Sequence, residues 1–258
     1  MDLNSDLGEA YGAWRMGDDE AVLDVVTSAN IACGFHAGDP VTMHRTARAA
    51  VSRGIAIGAH VAYPDLRGFG RRHVALTPEE LTADVLYQLG ALDALATAAG
   101  GRVSYVKPHG ALYNEMAVDE SVARTVLTAI AQFRTPLPLL TLPGSAAGRV
   151  AAELGIHCYS EGFADRAYTD DGQLVPRSQP GAVLTDPDAV AARVVRMATE
   201  ATVVTASGSV IDVELATVCI HGDTPGAVRI ARAVRDALRA ANVELAPFVS
   251  DVGADTRS

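Results

Sequence analysis

The sequence predicts an α/β protein whose parallel strands form either a closed barrel or an open, doubly wound sheet. Two observations support this prediction. Short apolar stretches typical of strands alternate with alanine-rich stretches of helical period from one end of the chain to the other. Aromatic residues make up only 5% of the 258 residues, so Ala, Val, Leu and Ile must build most of the core. Alanine-rich helices packed on valine-rich strands fit that composition.

Seven short segments have the composition of buried strands, and amphipathic stretches of helical spacing lie between most of them. Strict alternation of the two is typical of β-α-β units, which build parallel sheets. The predicted strands are residues 2–5, 28–33, 55–60, 103–107, 137–142, 156–160 and 217–221. The predicted helices are residues 41–52, 78–99, 119–132, 186–199 and 225–241.

The helix over 78–99 has the clearest local signals. Thr77 is a suitable N-cap, Pro78 suits the first helical position, and Glu80 completes a capping box. The helix is expected to end at Gly100 and Gly101.

Two polar segments interrupt the alternation. Residues 63–74 form a loop rich in glycine and arginine, and residues 162–181 form a long connection of the kind that often closes or lines a site. A hairpin over residues 202–213, turning at Ser207 and Gly208, is expected outside the main sheet. No repeat or linker divides the chain, so a single domain is predicted over residues 1–258.

The formal net charge of −10 argues against nucleic acid and anionic membranes as partners, because both bind clustered Lys and Arg. The densest basic group is only Arg67, Arg71 and Arg72. The three cysteines are far apart, so free thiols and reducing surroundings are expected. Without a signal segment or a long apolar run, we expect a soluble, cytoplasmic protein.

Polar residues cluster directly after the predicted strands. Because parallel strands end on one face, where α/β proteins build their sites, these residues are expected to share one site. Four of the seven histidines lie there. The residues are Asn4, Asp6, Glu9, His36, Asp39, His60, Asp65, Lys107, His109, Asn114, Glu161, Asp165, Arg166, His221 and Asp223.

Lys107 is the most informative of them. It ends an apolar strand, so its ammonium should point into the cavity mouth and stabilise developing negative charge. The alternative is an ordinary ion pair with Asp6 or Glu161. Asp6 is a candidate general acid or base, or a metal ligand. Several of the other carboxylates are expected to cap the helices that follow them: Glu9, Asp39, Asp65 and Asp223.

Motifs for nucleotides and for a nucleophilic serine are missing from the sequence. There is no GxxxxGKS or GxxxxGKT loop, no GxGxxG after a strand and no GxSxG elbow. The chain is therefore not expected to bind a nucleotide by a standard loop.

Six sequence blocks follow one another in order from Asp2 to Thr224. They are DLNSDLGE, SANIACGFHAGDP, GAHVAYPDLRGFGRR, KPHGALYN, EGFADRAY and CIHGDT. Together they resemble the LamB/YcsF family. The resemblance implies a seven-stranded β/α barrel related to polysaccharide deacetylases. It also implies the A component of a 5-oxoprolinase, an enzyme that opens 5-oxo-L-proline to L-glutamate with ATP and two further subunits, B and C.

The implied reaction explains the need for ATP. A lactam carbonyl is stabilised by resonance and resists water, whereas phosphorylation of its oxygen makes it an electrophile. The site must then supply a base, an acid and a cation near the oxyanion. We assign Asp6 as the base, His60 or His109 as the acid, and Lys107 as the cation.

Substrate binding is assigned by the same resemblance. Arg166 and the backbone near Gly34 to Gly38 would hold the substrate carboxylate. ATP, with Mg²⁺, is expected as a co-substrate handled mainly by subunits B and C, and no tightly bound organic cofactor is expected. The further predicted substrate-binding residues are Asn4, His36, Glu161 and His221.

Two other functions stay open. A metal-dependent amide hydrolase or deacetylase would use Asp6, His36 and His60 as ligands, although the HxxxH spacing of such sites is missing. A non-catalytic subunit would only hold substrate for its partners. The many titratable groups argue against pure binding, because binding sites are usually mostly apolar.

Overall fold

The computed structural model describes residues 1–222 and 226–249. Its barrel strands are β1 (Asp2–Leu7), β2 (Ser28–Ala32), β3 (Ala56–His60), β4 (Val103–Val106), β5 (Leu139–Thr141), β6 (Cys158–Phe163) and β9 (Thr217–Cys219). All pair in parallel, in the order β1-β2-β3-β4-β5-β6-β9, and β9 closes the barrel on β1. The seven-stranded barrel is confirmed, and the open sheet is excluded.

Helices follow the strands and pack around the barrel. They are α1 (Asp19–Leu23), α2 (Pro40–Ser52), α3 (Pro78–Ala98), α4 (Gly110–Val118), α5 (Glu120–Gln132), α6 (Ala146–Leu154), α7 (Pro187–Glu200) and α8 (Ala227–Ala240). The predicted hairpin is present outside the barrel as β7 (Thr202–Val204) and β8 (Val210–Asp212).

Strand β1 shows how the sequence divides the inside of the barrel from its outer layer. Successive side chains of a strand point to opposite faces. Leu3 and Leu7 pack in the apolar clusters that the helices share with the strands. Asp2, Asn4 and Asp6 alternate with them and make hydrogen bonds to polar side chains of other barrel strands. The inside of the barrel is therefore polar.

Local sequence explains where the helices begin. The side chain of Thr77 accepts a hydrogen bond from the Glu80 backbone N–H, and the Glu80 carboxylate accepts one from the Thr77 backbone N–H. This confirms the capping box, with Pro78 at the start of α3. Asp39 accepts backbone hydrogen bonds at the start of α2, as predicted. The predicted start of the last helix, residue 225, lies outside the described residues, as does Asp223.

Helices α1 and α4 were not anticipated. Helix α1 has only five residues, and α4 carries apolar side chains on most sides, so neither shows a clear helical period. Asn114 therefore lies on a helix rather than in a loop after β4.

The extent of the domain, residues 1–258, stays a prediction because the described ranges leave out 223–225 and 250–258. Within these ranges, no helix combines the length and the apolar character needed to cross a membrane.

The buried carboxyl of Asp2 should make stability depend on pH. Burial raises its pKa from 3.8 to about 6, although hydroxyls of Thr217, Thr27 and Ser28 donate hydrogen bonds to it. A pKa that is higher in the folded state stabilises the fold at low pH, and this stabilisation is lost as pH rises through 6. Between pH 4 and 7 we expect the free energy of unfolding of the wild type, measured in urea, to fall by about 2 kcal/mol relative to that of Asp2→Asn. A difference that stays constant over this range would contradict the prediction.

Candidate active site

A cavity of about 480 Å³ opens at the carboxyl ends of the barrel strands. The ends of several strands and the long connection after β6 contribute to its wall. Its acidic and basic lining residues, histidines included, are Asp6, His60, Arg71, Lys107, His109, Arg166, Arg177 and His221. Seven of the fifteen strand-end residues predicted to share a site line this cavity: Asp6, His60, Lys107, His109, Asn114, Arg166 and His221.

Lys107 occupies the floor of this cavity. Only 2% of it is exposed, and its Nζ lies 3.0 Å from Asp6 Oδ1 and 2.8 Å from Glu161 Oε1. Both ion pairs considered from the sequence are therefore present. The ammonium also donates to Asn4 Oδ1 at 3.3 Å and lies 3.0 Å from Cys219 Sγ. Its hydrogens are directed at acceptors on three strands.

The charge states of the floor follow from these contacts. Burial opposes the charged form of Lys107, but Asp6, Cys219 and Glu161 together raise its pKa well above its ordinary value. Burial also opposes ionisation of Asp6, yet His60 and Lys107 hold the pKa of Asp6 well below its ordinary value. Asp6 is therefore a carboxylate that keeps its charge and accepts a proton poorly.

Two asparagines hold the carboxylates in place beneath the cavity. Asn4 Nδ2 donates to Glu161 Oε1 at 2.9 Å, and Asn30 Nδ2 donates to Asp6 Oδ1 at 2.9 Å and to Asn4 Oδ1 at 2.7 Å. The Tyr105 hydroxyl fixes Asn30 in turn by donating to its Oδ1 at 2.7 Å. Asn4 and Glu161, predicted to bind substrate, are placed below the cavity wall, where they position Lys107.

His60 and His109 face each other with 2.9 Å between Nε2 of His60 and Nδ1 of His109. Their outer nitrogens face carbonyl oxygens, since His60 Nδ1 lies 2.9 Å from Lys107 O and His109 Nε2 lies 2.8 Å from Phe69 O. A carbonyl oxygen only accepts, so both outer nitrogens carry protons. The two inner nitrogens then need one cation between them, either a shared proton or a metal ion.

His36 and Glu9 lie behind this pair. The His36 ring stacks on His109 with 3.8 Å between centroids, and its Nε2 lies 3.1 Å from Glu9 Oε1. Burial and the neighbouring His60 lower the pKa of His36 well below its ordinary value, so a neutral imidazole faces Glu9. Glu9 therefore does not cap a helix as expected. Gly70 permits the approach of its loop, because a Cβ there would lie 2.8 Å from both His36 and His109.

His221 forms a separate imidazole–carboxylate pair on the cavity wall. Its Nδ1 lies 2.7 Å from Asp165 Oδ1, and both residues are buried. Since a carboxylate only accepts, Nδ1 carries the proton and Nε2 carries the lone pair. The Phe163 ring packs nearly parallel to the imidazole at 5.4 Å and restricts its rotation. A held imidazole with a free lone pair is the usual arrangement of a general base.

The two residues predicted to hold the substrate carboxylate, Arg166 and Gly34, differ in their position relative to the cavity. Arg166 lies on the wall, held by hydrogen bonds to Val175 O at 2.6 Å and Ala182 O at 3.3 Å. Gly34 lies in the turn after β2, where its N–H donates to Ala37 O at 2.8 Å. Among the described residues, the backbone of Gly34 does not border the cavity.

Sequence reasoning gave no role to several residues of this site. Asn30 was detectable as a polar residue inside an apolar strand, in register with Asp6. Asp165 gave a weaker signal, since a carboxylate after a strand has many possible partners. Arg71 and Arg177 lie in long loops, where the spacing of residues along the sequence does not predict where a side chain lies in the fold.

One group of possible metal ligands lies around the histidine pair. Glu9, His36, His60 and His109 bring ligand atoms within 4.8 Å of one another. The parallel stacking of His36 on His109 directs their lone pairs side by side, so the two rings cannot both bind one ion in the plane of each ring. Glu9, His60 and His109 fit a metal ion, and the outer N–H groups of the histidines are held as metal ligands usually are.

A second group, formed by Asp6, Cys219 and His221, does not fit a metal ion. The Lys107 ammonium lies 3.0 Å from both Asp6 Oδ1 and Cys219 Sγ, in the place that an ion would take. The ligand set that the sequence offered only for an alternative function, Asp6, His36 and His60, is thus divided between the two groups.

One family model covers nearly all of the chain. Residues 1–252 match the model described as the LamB/YcsF family. The chain belongs to the LamB/YcsF family. The resemblance carried by the six sequence blocks is thereby confirmed.

Relatives within the LamB/YcsF family cover the same length. The A component of 5-oxoprolinase from Paracidovorax citrulli is 56% identical over 96% of this chain and 99% of that protein. The A component of 5-oxoprolinase from Kocuria rhizophila is 54% identical over 96% of this chain and 98% of that protein. The crystal structure of a lactam utilization protein from Thermus thermophilus is 47% identical, with a TM-score of 0.90 over 95% of this chain and 98% of its own.

Proposed function

We propose that this chain is the A component of a 5-oxoprolinase, which opens 5-oxo-L-proline to L-glutamate at the expense of ATP. Lys107 carries the proposal, because a charged ammonium in the cavity floor is held between Asp6 and Glu161. Such a cation stabilises the negative charge of the phosphorylated lactam and of the tetrahedral intermediate that forms when water attacks it. The names of the relatives point to the same substrate class.

Phosphoryl transfer from ATP makes the lactam reactive. Water adds to the O-phosphorylated carbon, and the ring C–N bond breaks as the nitrogen takes a proton. A second water molecule then hydrolyses the resulting acyl phosphate to glutamate and phosphate. The chain lacks the nucleotide-binding motifs sought in its sequence, so we assign the kinase step, with ATP and Mg²⁺, to partner subunits B and C.

The structure favours a different base from the one assigned from the sequence. Asp6 is held as a charged carboxylate by His60 and Lys107, so it serves as a counter-ion that fixes the ammonium. His221 lines the same cavity, and Asp165 holds its Nδ1 proton. We assign His221 as the general base that takes a proton from the attacking water.

The His60–His109 pair is suited to deliver a proton to the ring nitrogen. A proton shared by the inner nitrogens lies between two cavity-lining residues. Burial, with His36 and His60, lowers the pKa of His109 well below its ordinary value, whereas the Asp6 carboxylate, 3.4 Å from His60 Nε2, opposes this and favours the shared proton. The charge of that proton also balances the buried floor, where Asp6 and Glu161 face the single ammonium of Lys107.

The assay for this proposal measures glutamate released from 5-oxoproline and ATP. The chain is tested alone, and then with the candidate B and C subunits from the same source. Glutamate that appears only in the complete mixture supports the proposal and divides activation and ring opening between subunits. Absence of glutamate with folded partners would overturn it.

A metal-dependent amide hydrolase is the second candidate, because Glu9, His60 and His109 bring three ligand atoms together. If a proton rather than a metal bridges the histidines, the isolated chain should contain far less than one transition-metal ion. Its melting temperature should then be unchanged by dialysis against EDTA. Elemental analysis and thermal unfolding of the isolated chain test this without interference from the Mg²⁺ that ATP requires. One bound metal ion per chain and a lower melting temperature after EDTA would favour the hydrolase.

A further inference from the structure

Three arginines line the cavity whose floor contains Lys107. They come from separate segments: Arg71 from the loop after β3, Arg166 from the turn after β6, and Arg177 from the long connection that follows. The chain as a whole has a formal net charge of −10. Positive charge is thus gathered at one cavity of an acidic protein, which favours an anionic ligand there.

Arg166 is the most constrained of the three. It is 7% exposed, and its guanidinium donates to two backbone carbonyl oxygens, Val175 O at 2.6 Å and Ala182 O at 3.3 Å. Among the described residues, no carboxylate forms an ion pair with it. Two carbonyl groups can orient a guanidinium but cannot neutralise its charge, and a buried charge without a counter-ion is unfavourable.

The neighbouring arginines add to this unfavourable energy. Burial, then Arg177, and more weakly Arg71, lower the pKa of Arg166 to about 10, with Asp165 opposing them. The guanidinium groups are therefore close enough to repel one another. Arg177 is half-buried, and Arg71 lies over the Phe69 ring at 5.0 Å, so neither is simply a side chain extended into solvent. An anion between them would relieve the repulsion.

We infer that Arg166 and Arg177, with Arg71 beside them, form an oxyanion subsite that holds the anionic group of the substrate. The inference rests on the proposed function, which provides two candidates of the same chemistry. One is the carboxylate of 5-oxoproline, and the other is the phosphoryl group attached to its oxygen after activation. The planar guanidinium fork binds both kinds of oxyanion by paired hydrogen bonds.

Binding to the isolated chain tests the subsite by calorimetry at low ionic strength, with three probes. These are 5-oxoproline, inorganic phosphate, and 2-pyrrolidinone, which is the same lactam without the carboxylate. We expect Arg177→Gln and Arg166→Gln each to weaken the binding of an anionic probe about ten-fold or more, and to leave pyrrolidinone unaffected. An effect on 5-oxoproline alone identifies the carboxylate, and an effect on phosphate identifies the phosphoryl group.

The control is Arg149→Gln on α6, which removes the same charge from an exposed ion pair with Glu120 outside the cavity lining. It should bind all probes like the wild type. Because Arg166 is buried, the half-buried Arg177 decides the test if Arg166→Gln does not fold. Wild-type affinity for both anions in Arg177→Gln, or no anion binding by the wild type, would overturn the subsite.

The glutamate assay separates failure of the subsite from failure of the proposed function. Glutamate formed by the complete mixture with unchanged KM and kcat in Arg177→Gln would reject the subsite and leave the function standing. Arginine-dependent anion binding without glutamate formation would reject the function and leave the subsite standing.

Discussion

Replacing Lys107 with methionine is expected to lower kcat of the assembled oxoprolinase about a thousand-fold. The ammonium lies in the cavity floor. In the proposed reaction it stabilises the negative charge of the phosphorylated lactam and of the tetrahedral intermediate. Methionine has a similar length and no charge, so it removes the electrostatic stabilisation while filling much of the same space. The measurement is glutamate release at saturating 5-oxoproline and ATP.

The buried ion pairs require a second variant. Methionine at position 107 leaves Asp6 and Glu161 without their shared cation, 3.0 and 2.8 Å from the place of its nitrogen, and an uncompensated buried charge destabilises a protein by about 3–5 kcal/mol. The double variant Lys107→Met/Glu161→Gln removes one charge of each sign. It should therefore recover stability in urea unfolding without recovering activity. Near-normal kcat in the folded double variant would reject Lys107 as the electrostatic group.

The sequence predicted those features of the site that depend on strand ends. Lys107 and His109 follow β4, His60 ends β3, and the parallel barrel brings the three to one face. The ion pair with Asp6 or Glu161, considered from the sequence as the alternative for Lys107, is present with both carboxylates. Hydrophobic periodicity suffices to locate the strand ends, and the parallel pairing of the strands places all their carboxyl ends on one face.

Pairings between side chains could not be read from the sequence. Glu9 was expected to cap a helix, yet it contacts His36 because the loops after β1 and β2 fold toward each other. Asp165 meets His221 across two neighbouring strand ends, 56 residues apart in the chain. Such contacts depend on loop conformation and barrel register, which local periodicity does not specify. The assignment of the general base changed most. His60 and Lys107, which only the fold brings next to Asp6, lower its pKa and make it a poor base.

His221→Gln is expected to lower kcat on the order of a hundred-fold to ten-thousand-fold, with little change in KM. The variant keeps a polar side chain of similar length but has no imidazole nitrogen that can take a proton from water. Asp6 is not expected to replace the lost base, because its pKa is held well below its ordinary value. His44→Gln on α2, outside the cavity lining, is the matched control and should retain wild-type kinetics.

Asp165→Asn tests the same assignment through the tautomer of the imidazole. The carboxylate accepts the Nδ1 proton at 2.7 Å and so leaves the lone pair on Nε2, whereas an asparagine amide can instead donate to Nδ1. The proton then moves to Nε2, and the imidazole can no longer take one from water. We expect a loss of kcat similar to that of His221→Gln, and no further loss when the two substitutions are combined, because residues acting as one unit are not additive. A rise in KM with an unchanged kcat in both variants would instead return His221 to the substrate-binding role that the sequence suggested.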